Sequence, residues 1–295
     1  MVAPAGAVAT YAADALADLR RNLTGARAGE PDAVHDARVA VRRLRATLRT
    51  FRPLVADSTS DLSEPVQAQP ITDPVRVELR AVGAVLGELR DVQVMGDRLA
   101  GAVAAEPPEL VLGPVAARIA SHAAEQAAQA QAALVAKLDD PNLEELLAEV
   151  DRLIRTGLSA PADDARLLLL ARRTLRRADR RLAGATTDPE LHEARKAYKS
   201  ARYAVEAVAP IGGGPAGRLT RRLKRLQDLL GEHQDTVVTR DVLRQLGVRA
   251  HQQGENAFTY GLLHARQAEL AHRQLARLHR AELRAARVSV RRWLG

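Results

Sequence analysis

"VHDARVAVRRLRATLRTF", residues 34–51, sets two stripes side by side on one helix. Val34, Ala37, Val41, Leu44 and Leu48 recur at the three-and-four spacing of a buried helix face. His35, Arg38, Arg42, Arg45 and Arg49 follow one position behind them. At roughly 100° per residue the five basic positions fall within a sector of about 80°, so they project as a line of donors. That line is rotated by roughly 100° from the apolar seam, which puts the cations at the lip of a helix–helix groove.

"LHEARKAYKSARYAVEAV", residues 191–208, repeats the arrangement. Laying His192 on His35 brings Arg195 onto Arg38, Lys199 onto Arg42 and Arg202 onto Arg45. The same superposition brings Leu191, Ala194, Tyr198, Ala201 and Val205 onto the first apolar seam. A second pair of blocks follows in the same order, "LRAVGAVLGELRDV" (79–92) and "LKRLQDLLGEHQDT" (223–236), matching Arg80 with Lys224, Gly87 with Gly231 and Asp91 with Asp235. Two matched blocks in one order point to a duplicated four-helix unit.

The rest of the chain reads as helix. Aromatics make up 2% of the 295 residues and strand-like alternation is essentially absent. Proline and glycine clusters at 25–32, 53–74, 105–114, 139–142, 157–164, 184–190 and 209–217 act as breaks. Between them lie expected helices near 6–24, 31–52, 74–104, 114–138, 143–156, 163–183, 189–209, 215–247 and 254–292. These form two sets of four and one short connecting helix, so the expected organisation is a single domain over 1–295 with repeats at about 1–156 and 157–295. Pro31 and Pro189 suit a first helical turn, and Asp188 is the expected N-cap of the second stripe helix. The positive end of each helix dipole would then add to the field near His35 and His192.

Charge narrows the partners. The formal net charge is +8 and the pI about 10.4, which favours polyanions over small neutral molecules. Lys137, Lys196, Lys199 and Lys224 are the only lysines, so arginine supplies most of the 44 cationic side chains, with planar donor forks that suit phosphate. No cysteine is present, which excludes a disulfide framework, a thiolate metal site and a cysteine nucleophile and fits a reducing cytosol. "MVAPAGAVATYAADALADL" has no basic leader and reads as an amphipathic helix, and no apolar stretch approaches bilayer length.

"VHDARVAVRRLR" and "LHEARKAYKSARYAVE", each followed by an "LGE" block with an aspartate, resemble the two halves of a CHAD domain, the conserved histidine α-helical domain. The resemblance covers nearly the whole chain. It implies an all-α fold of two pseudo-symmetric four-helix bundles and a basic surface or central channel that binds inorganic polyphosphate. Members of this family often accompany polyphosphate granules or are fused to a triphosphate tunnel domain, and this chain looks like a stand-alone, cytoplasmic member. Ser200, where the first half has Arg43, and Glu206, where it has Arg49, depart from the repeat and leave the second half with fewer charges.

The expected contact residues are His35, Arg38, Arg42, Arg45, Arg49, Arg80 and Arg90 from the first half, with His192, Arg195, Lys199, Arg202, Arg221 and Lys224 from the second. Gly87 and Gly231 are costly inside helices and are expected to permit close approach, while Asp91 and Asp235 would orient stripe arginines or form plain ion pairs. His35-Asp36 lacks the further ligands a metal phosphohydrolase needs, and no HExxH occurs, so no metal or other cofactor is expected. "GGGPAGRL" (212–219) has Arg218 and Leu219 where a phosphate loop needs Lys and Ser or Thr, and reads as a helix break. Arg273, Arg277, Arg280, Arg284, Arg287 and Arg291 form a further stripe that the repeat does not share, read as a solvated face. The leading expectation is a non-enzymatic polyphosphate binder with no catalytic residue. The alternatives are a nucleic-acid-binding helical protein, which the scarce aromatics disfavour, and a polyphosphate or phosphoester hydrolase, which lacks a visible catalytic set.

Overall fold

The computed structural model describes residues 6–54, 72–158 and 163–295, and every regular element among them is helical. In the first half α1 (Ala7–Arg27) and α2 (Pro31–Thr50) form a hairpin, followed by α3 (Thr72–Ala104) and α4 (Val115–Leu138). The short α5 (Asn142–Leu153) and a π-turn (Ile154–Leu158) lead into the second half. There α6 (Asp164–Ala183), α7 (Asp188–Ala207), α8 (Ala209–Gln252) and α9 (Phe258–Ala286) follow, closed by α10 (Val288–Arg291). Neighbour order is the same in both halves: α1 lies on α2, α2 on α3 and α3 on α4, as α6 lies on α7, α7 on α8 and α8 on α9.

The two apolar seams are what hold this order. Val34, Ala37, Val41, Leu44 and Leu48 are completely buried, and so are Ala194, Tyr198, Ala201 and Val205, with Leu191 close behind. Burying a Leu or Val side chain is worth about 1.5–3 kcal/mol, so each seam is a strong determinant of which face turns inward. The core does not divide by repeat: one apolar cluster runs from Leu16 and Leu44 through Leu147 to Leu175 and Leu230. A second, smaller cluster joins the far ends of the long helices, where Leu99 and Ile119 meet Leu243 and Leu263. The halves also meet where α2 lies against α7, bringing the two cationic stripes onto one surface.

Several boundaries differ from expectation for local reasons. The N-cap of α7 is Thr187, one residue before Asp188, and it forms a capping box with Glu190. Backbone N–H groups of Thr186 and Thr187 donate to that carboxylate and hold it down to about 2, so the end of α7 already has its anion. Glu30 caps α2 without a side-chain bond. The break at 209–217 shrinks to one residue, Gly213, whose φ of +53° kinks α8 ahead of Pro215. The expected last helix breaks at Arg287. Most of the expected loop at 53–74 and half of the break at 157–164 lie outside the described residues, and α3 already begins at Thr72.

Candidate polyanion-binding groove

Between α2, α7 and the first turns of α3 runs an open groove of about 670 Å³. From α2 it takes Arg38, Arg42, Arg45 and Arg49; from α3, Arg76 and Arg80; and from α7, His192, Arg195, Lys196 and Lys199. Ser200 hydrogen-bonds Arg49 across the junction of the two halves. Among the described residues Asp91 is the one carboxylate in the lining. A site so poor in counter-charge is electrostatically unfavourable when empty, and a bound polyanion relieves it.

The depressed basicity of the lining groups expresses that cost. Burial, together with Arg38 and Arg195 nearby, lowers Arg42 to about 10. Burial and then the neighbouring guanidiniums Arg195, Arg42 and Arg38 push Lys199 down to about 6. Arg45 and Arg49 are lowered by burial and by each other's neighbours, Arg76 and Arg80 among them. His35 and His192 are both held below the ordinary histidine value, first by burial and then by adjacent cations.

The glycine and aspartate of each "LGE" block turn out to be the seat of one stripe arginine. Arg38 donates to both oxygens of Asp91 at 2.7 and 3.0 Å, and a Cβ on Gly87 would meet its guanidinium at 3.6 Å. Arg195 lies 4.0 Å from Asp235, and a Cβ on Gly231 would stand 3.5 Å from its guanidinium. The glycines therefore admit an arginine that lies flat across the helix, and not simply a neighbouring helix.

Of the expected contacts, Arg38, Arg42, Arg45, Arg49, Arg80, His192, Arg195 and Lys199 converge in the groove. Five others fall outside its lining. His35 and Arg90 sit together beyond its edge, close enough for Arg90 to depress the histidine. Arg202 is turned away to Glu206 at 2.9 Å and lies over the Tyr203 ring. Lys224 is exposed and paired with Asp228, and Arg221 is exposed on the same helix. The C-terminal stripe is also remote: Arg273 pairs with Glu269 and Arg291 with Asp179, while Arg277, Arg280, Arg284 and Arg287 face solvent.

The sequence reading missed a neighbouring cationic face. Arg173, Arg176, Arg177, Arg180 and Arg181 of α6 line a second groove of about 730 Å³ that shares Arg49, Lys196 and Ser200 with the first. None of Arg173, Arg176, Arg177 and Arg180 has an ion-pair partner among the described residues. Their signal was present in "ARRTLRRADRRLA", where the cations follow the buried Ala171, Leu175, Ala178 and Leu182 at helical spacing. A search for features kept in both copies removes it, because α1 carries Asp14 and Asp18 instead.

Beside the groove lies a further opening of about 420 Å³ between α3, α4 and α8, which shares Asp91, His192 and Arg195 with it. Glu88, Asp91 and Asp235 line it together with Arg98, Arg195, His122 and His192, beside Val92, Met95, Leu99 and Val242, and burial raises the Asp235 carboxyl. Among the described residues no set of three or more His, Asp and Glu side chains is placed to hold a metal ion, and no helix is long and apolar enough to cross a membrane.

Comparison with known proteins gives this geometry a lineage. The fold resembles that of PptA from Streptomyces chartreusis, with a TM-score of 0.74, 20% identity and coverage of 93% of this chain and 97% of that one. It also resembles the CHAD domain from the plant Ricinus communis, with a TM-score of 0.69, 21% identity and coverage of 95% and 90%. Uncharacterized proteins from two strains of Mycobacterium tuberculosis are 32% identical over 248 residues, 81% of this chain, and the chain spans about half their length, 46%. Residues 10–244 match the CHAD domain, so the chain belongs to the CHAD family.

Proposed function

We propose that the chain binds inorganic polyphosphate in the groove between α2 and α7, without catalysing a reaction on it. The observation that carries this reading is the convergence of seven arginines, two lysines and a histidine from both halves on a lining that, among the described residues, contains one carboxylate. Guanidinium forks and ammonium groups make charge-assisted hydrogen bonds to phosphate oxygens, and displaced counterions supply much of the affinity. Because both halves contribute side chains, residues 1–295 act as one binding unit. The α6 groove, continuous with the first through Arg49 and Lys196, extends the track for a longer polymer.

Nucleic acid fits less well. Tyr203 is the one aromatic side chain in the lining, and Arg202 already covers its ring. Single-stranded nucleic acid would find almost no platform for its bases. A binder of this kind in the cytoplasm would attach to polyphosphate granules through the same groove. The test is a titration with long-chain polyphosphate at physiological salt, competed with single-stranded RNA and DNA at matched phosphate concentration. Polyphosphate should compete at least tenfold better per phosphate. Equal competition would assign the groove to nucleic acid, and phosphate release during incubation would assign it to an enzyme.

A further inference from the structure

The four lysines of the chain are not equivalent. Lys137 is held by Glu78 at 3.0 Å and Asp140 at 2.9 Å, Lys196 is paired with Glu193, and Lys224 binds Asp228 at 3.0 Å. Lys199 alone has no carboxylate partner among the described residues. It stands half-buried in the groove wall with Arg195 one turn back on its own helix, and Arg38 and Arg42 line the same groove from α2. The nearest acidic influence is Asp91 of α3, whose carboxylate is already taken bidentately by Arg38.

We propose that Lys199 is a site of covalent acylation by acyl phosphates, with the guanidiniums of Arg38, Arg42 and Arg195 seating the phosphate group of the donor. The Nζ lone pair attacks the acyl carbon, the bond from that carbon to the phosphoryl oxygen breaks, and inorganic phosphate departs with the proton that the amine gives up. Amine and acyl phosphate dianion thus become an amide and hydrogen phosphate, with no further reactant required. The same guanidiniums stabilise the departing phosphate.

Nucleophilic attack needs the free amine, and the surroundings of Lys199 supply it. With its ammonium driven down to about 6, Lys199 is largely unprotonated at neutral pH. An ordinary lysine at pH 7 is free amine to roughly one part in 2,500. The lower basicity costs some intrinsic nucleophilicity, but far less than the gain in free amine. Acylation also removes the charge that Lys199 would present to a bound polyanion and fills part of the groove, a consequence that rests on the polyphosphate reading above.

The experiment incubates the full chain with acetyl phosphate across pH 6.5–9 and follows all four lysines by peptide mass spectrometry, with acetyl N-hydroxysuccinimide as a donor that carries no phosphate. With acetyl phosphate at pH 7.5, Lys199 should react at least tenfold faster than Lys137, Lys196 and Lys224. Its rate should change little with pH, while theirs climb about tenfold per unit. The preference should shrink with the phosphate-free donor. Rates at Lys199 no higher than at the other three would overturn the proposal, and so would an equal preference with both donors, since that would mark a reactive amine with no phosphate seat. Titrating the acetylated protein with polyphosphate separates the two readings. Full acetylation of Lys199 with unchanged polyphosphate affinity leaves the acylation site standing and removes the polymer from the groove.

Discussion

Arg42 and Lys199 occupy the same place in the two stripe helices, as do Arg45 and Arg202, and in each pair the first-half residue keeps its charge in the groove. Lys199 stays in the groove but loses basicity to about 6, whereas Arg42 in the same cluster falls only to about 10 and remains charged at neutral pH. Arg202 leaves the groove altogether, because Glu206 one turn on offers it a carboxylate where the first half has Arg49. The two stripe helices are thus alike in pattern, and differences at matched positions leave α2 the wall that stays charged and α7 the wall whose charge depends on pH. A guanidinium tolerates burial beside other cations far better than an ammonium does.

The largest expected effect comes from removing the wall that stays charged. Replacing Arg38, Arg42 and Arg45 with Ala should weaken polyphosphate binding on the order of 100-fold or more at physiological salt. Replacing Arg277, Arg280 and Arg284 removes the same formal charge from the remote stripe and should cost about twofold or less. Circular dichroism and thermal melts must accompany both, since arginine stems in the groove also pack against the seam.

Next in size is a pH effect confined to the second wall. Polyphosphate bound in the groove should restore the proton to Lys199, so binding would take up a proton wherever the free group is neutral and the bound group charged. Affinity should then fall as pH rises above about 6, by up to tenfold per unit at the steepest. Below that pH the contribution is flat. The Lys199→Arg variant should lose this slope, and calorimetry in buffers of different ionisation enthalpy should show its proton uptake at pH 8 fall to near zero.

The pair Arg45 and Arg202 gives a smaller contrast. Arg45→Ala should cost about tenfold in affinity with little change in stability. Arg202→Ala should leave affinity within about twofold and destabilise the fold by about 1–3 kcal/mol, since it strips a cation from the half-buried Glu206 that Tyr11 also bonds at 2.7 Å. The smallest effect is expected at Asp91, whose carboxylate is 70% exposed while Arg38 is 17% exposed. Asp91→Asn should raise affinity two- to threefold by freeing Arg38, at the cost of some order in that side chain.

Much of this was legible in the sequence because helical periodicity reports burial directly. Every apolar seam position quoted from 34–51 and all five of its counterparts from 191–208 are buried. The arrangement of cations at the lip followed from the same angles. What the pattern could not carry was which of the matched residues face the groove. Lys224 aligns with Arg80, yet Arg80 lines the groove and Lys224 turns to Asp228, because pairing one turn along a helix is decided by a single nearby carboxylate. The α6 arginines were invisible for the opposite reason, being present in one copy only. The roles of Gly87 and Gly231 needed the third dimension, since the side chain they accommodate comes from another helix.

The central claim is that polyphosphate is held by the groove between the halves and not by net charge. The most direct measurement is the salt dependence of polyphosphate affinity for the native chain and the two triple variants. Each lost phosphate contact should reduce the slope of log affinity against log salt by roughly 0.7–0.9, so the Arg38, Arg42 and Arg45 variant should be shallower by about two units or more. The Arg277, Arg280 and Arg284 variant should keep the native slope. Equal slopes for the two folded variants, each reduced by the same amount, would contradict the claim and leave the groove as ordinary surface charge.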